Sequence, residues 1–190
     1  MSNKDFSIVL IEKGADVNYA DDYNVTCTNQ AAYLGLTSVV QKLVDFGADL
    51  DFANKEGITP LMSSSSEGHE DIVEVIIRAG GNVNKADKDG TTALMAAAVR
   101  GHKNIVSRLI THNGDVNAHN VDGHTALMFA YNGKNQLRTL LDKYHEYEYG
   151  ANDNNTKILH DAVKNQENII TLLIKSGAVP GLQVFTSYKT

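Results

Sequence analysis

The sequence predicts an all-α solenoid in which helix-turn-helix units stack side by side and short β-hairpin-like fingers project along one edge. Three observations carry this prediction. The stretch from Asp87 to His119, DKDGTTALMAAAVRGHKNIVSRLITHNGDVNAH, meets a degraded copy of itself when slid by 33 residues in either direction, and a fixed period of that size marks a repeat architecture. Turn and cap residues recur in phase: Thr92 with Thr26, Thr59 and Thr125, Gly90 with Asn24, Gly57 and Gly123, and Gly101 with Gly35 and Gly68. An apolar stripe also recurs, as Val39, Val40, Leu43 and Val44, then Ile72, Val73, Ile76 and Ile77, then Ile105, Val106, Leu109 and Ile110, a spacing that lines one face of a helix.

Each part of the unit has a physical reason. Gly90 and its equivalents suit a tight turn that needs positive φ, which Asn24 also tolerates. Thr92 is placed to cap a first helix carrying Leu94, Ala97 and Ala98, and Pro60 in the preceding copy falls at the first helical position. The alanines favour close helix packing. Gly101 ends that helix, the stripe from Ile105 to Ile110 makes a second, and Asn113 or its glycine equivalents, Gly14, Gly47 and Gly80, cap it in the left-handed conformation. A short extended piece, GADVN in the first copy and NGDVN in the third, leads to the next turn.

A turn, two antiparallel helices and an extended finger over 33 residues resemble the ankyrin repeat. The residues that carry the resemblance are Thr59-Pro60-Leu61-Met62, Gly68-His69, Gly101-His102 and Gly14-Ala15-Asp16-Val17-Asn18. One departure recurs: the histidine of the family's Thr-Pro-Leu-His element is Met62, Met95 and Met128 here, and returns as His160.

In chain order, residues 1–190 read as one domain: a half-repeat at 1–20, repeats at 21–53, 54–86, 87–119 and 120–151, and a C-terminal repeat and cap at 152–190. Phe6, Leu10 and Ile11 hold second-helix positions in the half-repeat. The first full copy places Thr28 where Leu61 sits, which puts a polar group in a core position and predicts local loosening. The run Ser63 to Ser66 in the second competes with helix by bonding its own backbone. In the copy from residue 120 a residue is lost between Ala130 and Gly133, and Arg138 and Asp142 interrupt the stripe. The usual close is replaced there by DKYHEYEYGANDNN. The last copy recovers Leu159, Ala162, Ile169, Ile170, Leu173, Ile174 and Gly177, and Leu182, Val184 and Phe185 could fold back as a cap.

The composition, 42% hydrophobic and 21% charged with net charge −6, is that of an ordinary globular protein. Residues 1–95 hold 7 Lys/Arg against 15 Asp/Glu, and the remainder 10 against 8. Without basic stripes or interleaved aromatics this balance argues against direct nucleic-acid binding; the N-terminal half would suit a basic protein partner, although a solvated acidic face is the simpler explanation of its charge. No apolar run reaches the roughly 18 residues needed to span a bilayer, so no membrane contact is expected. The single Cys27 has no intramolecular partner and is expected to be buried and inert. These features favour a reducing compartment, the cytoplasm or the nucleus.

Candidate chemistry is sparse. His69 and His102 share one repeat position and read as structural. His112, His119 and His124 cluster near one turn without a Cys or carboxylate at ligand spacing, so no metal is expected, and neither is a cofactor or a catalytic set. Met62, Met95 and Met128 either line a groove or pack between units. The resemblance implies a non-catalytic protein-interaction module, a scaffold or adaptor acting as a monomer, which contacts its partner through finger tips and inner helices. Carried onto this chain, those positions are Asp22, Tyr23, Lys55, Glu56, Lys88, Asp89, Val121 and Asp122 at the tips. Tyr33, Ser66, Glu67, Val99, Arg100, Phe129 and Tyr131 fall on or near the inner helices. Tyr144, Tyr147 and Tyr149 stand where the pattern breaks and either anchor a partner or pack over the faulty stripe. The alternative is an array that targets the catalytic or channel domain of a larger protein.

Overall fold

The computed structural model of the chain describes residues 12–146 and 154–179. Over the regular copies it forms two layers of short helices. The inner layer is α1 (Cys27–Tyr33), α3 (Pro60–Glu67) and α5 (Ala93–Arg100), and the outer layer is α2 (Thr37–Asp45), α4 (Glu70–Arg78) and α6 (Lys103–Thr111). Each inner helix packs on the next inner helix and on its own outer partner, and the outer helices pack on one another in the same succession.

Local chemistry fixes these elements. Thr26, Thr59 and Thr92 lie in extended backbone, and their hydroxyls accept from the N–H groups of Asn29, Met62 and Met95, pairing donors that a helix start leaves free. The methionine in place of histidine does not remove the return bond at Thr59, whose N–H donates to the Met62 thioether at 3.5 Å. Helices α3 and α5 end at Gly68 and Gly101, with φ of 82° and 81°, a left-handed turn that sends the chain back as the outer helix.

The stripe and the inner-helix alanines form one continuous core. Leu43, Ile72, Ile76, Ile105 and Leu109 are fully buried, as are Ala97 and Ala98. Met62, Met95 and Met128 are buried with them. Thr28 is buried and its hydroxyl has no hydrogen-bond partner among the described residues, the polar intrusion the sequence predicts.

Histidine straps join successive units. The Nε2 atoms of His69 and His102 lie 3.0 and 2.9 Å from the carbonyl oxygens of Tyr33 and Ser66, each near the end of the preceding inner helix. Carbonyls only accept, so Nε2 carries the hydrogen in both.

From residue 126 the helix pattern changes. Where a turn and two short helices are expected in each of the copies 120–151 and 152–190, the structure has one unbroken helix in each: α7 (Ala126–Glu146) and α8 (Asn154–Lys175). Helix α7 packs on α5 as the next inner helix, α8 packs on α6 as the next outer one, and the two pack on each other. Ile169, Ile170 and Leu173, in the C-terminal half of α8, bury the stripe of that outer helix. The register confirms the exchange. Gln166 Nε2 donates to the Val99 carbonyl at 3.1 Å, a partner 67 residues away where the histidine straps span 36. Val179 N–H donates to Asn117 Oδ1 across 62 residues, where Asp115 to Asn84 spans 31. Both register points are displaced by the same 31 residues.

The physical cause lies at Gly133 and beyond. Gly133 is absent from the left-handed glycines and sits inside α7. Arg138 and Asp142 deny the following segment an apolar face, so breaking the helix there would orphan backbone groups without burying a stripe.

A second correction concerns Cys27, which is exposed. Pro60, Ala93 and Ala126 hold the same position and are buried. Each of their helices has a preceding inner helix, whereas α1 contacts an inner neighbour on one side only among the described residues. The half-repeat residues Phe6, Leu10 and Ile11 and the cap residues Leu182, Val184 and Phe185 lie outside the described residues.

Candidate protein-binding surface

Four fingers present the tip residues. Each is closed by an Asx turn: Oδ1 of Asp21, Asn54, Asp87 and Asn120 accepts two backbone N–H groups, those two and four residues on, at 2.8–3.1 Å. The side chain substitutes for backbone acceptors, which is why Asp and Asn alternate at this position. Adjacent tips are then stitched by main chain, with Lys55 N–H to Tyr23 O at 2.9 Å, Lys88 N–H to Glu56 O at 3.0 Å and Val121 N–H to Asp89 O at 2.8 Å. The fingers thus form a connected edge with side chains free to vary. At the base of the array, Asn18, Asp51, Asn84 and Asn117 use their Oδ1 atoms to accept a backbone N–H from the next unit.

Several expected contact residues stand exposed on this edge. Tyr23 is 71% exposed and Val121 72%, and Lys55, Glu56, Lys88, Asp89, Asp22 and Asp122 are exposed beside them. The Lys55 ammonium lies 6.0 Å from the Tyr23 ring centroid, within range of a cation–π contact.

Between the fingers and the inner helices runs a groove of about 230 Å³. Its walls are Tyr33 from the end of α1, Met62, Ser63, Ser66 and Glu67 from α3, and Ala96 from α5. The finger bases contribute Ile58, Asp87, Thr91 and Thr92. The groove brings together Tyr33, Ser66 and Glu67, three of the residues expected on or near the inner helices. It adds Ile58, Asp87 and Ala96, which the sequence reading missed; the recurring Asx position was the signal that could have pointed to Asp87.

The remaining expected residues are placed differently. Arg100 is exposed at the end of α5, while Val99 is half-buried and its carbonyl is taken by Gln166. Phe129 and Tyr131 are half-buried against the core, and the Phe129 ring meets His124 edge-on at 5.9 Å. Tyr144 belongs to α7 by its backbone, and Tyr147 and Tyr149 lie outside the described residues.

On the outer helices, Glu74 pairs with both Arg78 and Arg108. The hydrogen bond from Arg108 is the main cause that holds the Glu74 carboxyl below the ordinary carboxylate range, with the charges of Arg108 and Arg78 acting the same way. Glu167 is lowered chiefly by its bond from Lys134 at 3.0 Å, a tie between α7 and α8. His112 Nδ1 donates to the Arg108 carbonyl at 2.8 Å. Among the described residues no group of three or more His, Cys, Asp or Glu side chains is arranged to hold a metal ion. No described helix is long and apolar enough to cross a membrane.

The family model for ankyrin repeats, a block of three copies, matches residues 2–87, 28–120, 76–153 and 116–183. These overlapping matches span most of the chain, which belongs to the ankyrin-repeat family. No curated protein matches the chain. Ankyrin repeats are in general protein–protein interaction modules.

Proposed function

We propose that this chain is a non-catalytic protein-binding module, an adaptor or scaffold element, that takes a segment of its partner across the finger tips and into the inner-helix groove. The observation that supports it best is the groove itself: a concavity of about 230 Å³ whose Tyr33 wall is 53% exposed. A Tyr held half-exposed beside a concavity offers contact area at low entropic cost. The finger edge, stitched by main-chain bonds, presents Tyr23 and Val121 exposed, so less order has to be gained on binding.

Cross-linking and capture from a cell extract tests this. The wild-type chain is compared with a variant carrying Tyr23→Ser and Tyr33→Ser, after circular dichroism shows equal helix content. The expected result is a protein retained by the wild type and lost from the variant. Identical captured sets would place recognition elsewhere on the array.

A further inference from the structure

We propose that the groove accepts an arginine side chain of the partner, its stem lying on the apolar wall and its guanidinium meeting Glu67 and Asp87. The inference rests on the groove being the binding surface and names the chemistry of what enters it. The apolar wall is Ile58, Met62, Ala96 and the ring of Tyr33. Among the described residues the charged ones lining the groove are Glu67 and Asp87, both acidic. The cations nearest in sequence are placed otherwise, with Lys85 donating to the Asp51 carbonyl at 2.9 Å, Lys88 at a finger tip and Lys55 over Tyr23. A groove lined by apolar side chains and two acidic ones matches a side chain that is apolar along its stem and cationic at its end.

The fold gives both carboxylates a bond, Glu67 Oε1 accepting from the Ser66 hydroxyl at 3.5 Å, but requires the negative charge of neither. Asp87 uses Oδ1 to accept from the N–H groups of Asp89 and Thr91 at 3.0 and 2.8 Å, which leaves Oδ2 for an external donor. Asn54 and Asn120 make the same pair of bonds in their own fingers, so the turn does not require a charge at residue 87. Glu67 is the last residue of α3, a helix with no basic residue in its last turn, and a carboxylate there opposes the helix dipole. The equivalent residue of α5 is Arg100, which favours it. Arginine fits better than lysine because its planar group stacks on a tyrosine face and bonds carboxylates in pairs.

The same residues supply a clean variant. Asp87→Asn keeps the Asx turn that Asn54 and Asn120 already make, and Glu67→Gln removes charge at nearly constant shape. A randomised peptide library displayed on phage is selected against the full chain, and enriched peptides are measured on the wild type, on the Glu67→Gln/Asp87→Asn variant and on Tyr33→Ser. The expected outcome is peptides that share an arginine next to an apolar residue and need Tyr33. They lose about tenfold in affinity on the double variant, as close charge-assisted pairs would predict, and lose a similar factor when their arginine is replaced by norleucine. Peptides that need Tyr33 but carry no cation, or that bind the double variant equally well, overturn the arginine assignment and leave the groove as the binding surface. Peptides indifferent to Tyr33, or no enrichment at all, overturn both.

Discussion

Over residues 54–119 each unit is made from two helices of eight or nine residues with a glycine between them, whereas beyond residue 126 the same inner and outer places are filled by helices of 21 and 22 residues. Among the described residues neither long helix contains a left-handed glycine, and the strap position is held by Gln166. The long pair nonetheless meets the preceding unit at the same points, because Gln166 donates to Val99 where His102 donates to Ser66. What the array demands of a neighbour is therefore a buried stripe and a donor at the end of the previous inner helix. The sequence distance between the two is free to change.

The comparison can be broken most forcefully in the core. Leu109 and Leu173 are both fully buried and hold the same place in outer helices of the two kinds. Leu109→Ala and Leu173→Ala are expected to destabilise the chain by about 2–5 kcal/mol each in urea unfolding. A markedly smaller loss at Leu173 would mean that α8 does not share the core. The straps come next. Gln166→Ala and His102→Ala should each cost about 1–3 kcal/mol, since each leaves a carbonyl unpaired. Gly133→Ala should cost a similar amount, about 1–3 kcal/mol, because a Cβ there would meet Gln166 Nε2 at 2.7 Å and the Val99 carbonyl at 2.9 Å. Thermal melts of the three variants check this, and a Gly133→Ala chain as stable as wild type would show that the α7–α5 approach is looser than described.

Smaller effects sharpen the contrast at the surface. Thr92→Ala removes the cap of α5 and is expected to cost about 1 kcal/mol in the same melts. The ion pairs contribute least, since surface pairs are screened by water. Glu74 and Glu167 both have carboxyls held below their ordinary range by cationic neighbours. Their contribution is therefore present above the ordinary carboxylate range and disappears as pH falls through the lowered folded value. The stability gap between wild type and Glu167→Gln should accordingly narrow from neutral pH to pH about 3. A gap that widens on acidification would reverse the assigned sign.

Much of this was legible in the sequence because the repeat reports each position several times. The threonine caps, the glycine at the end of α3 and α5, the apolar stripes and the structural role of His69 and His102 all follow from residues that recur in phase. Legibility ends where the repetition ends. Gln166 cannot be recognised as a strap, because an amide does the work of an imidazole and the chain reaches it 31 residues late. Gly133, beside the lost residue, is a close-approach residue inside a helix. The lining of the groove was half legible: Tyr33 and Glu67 were expected on or near the inner helices, while Asp87 and Ala96 join them only through the stacking of units. Cys27 shows the opposite error, a position buried at Pro60, Ala93 and Ala126 and exposed in the first copy.

The most direct test of this account is native-state hydrogen exchange across the outer helices. If the C-terminal half of α8 completes the array, amides of residues 169–173 should exchange as slowly as those of residues 105–109 in α6 and far more slowly than those of residues 137–143 in α7. Residues 169–173 exchanging at the rate of 137–143 would contradict it, and would reduce α7 and α8 to a helical pair set beside the repeats without continuing them.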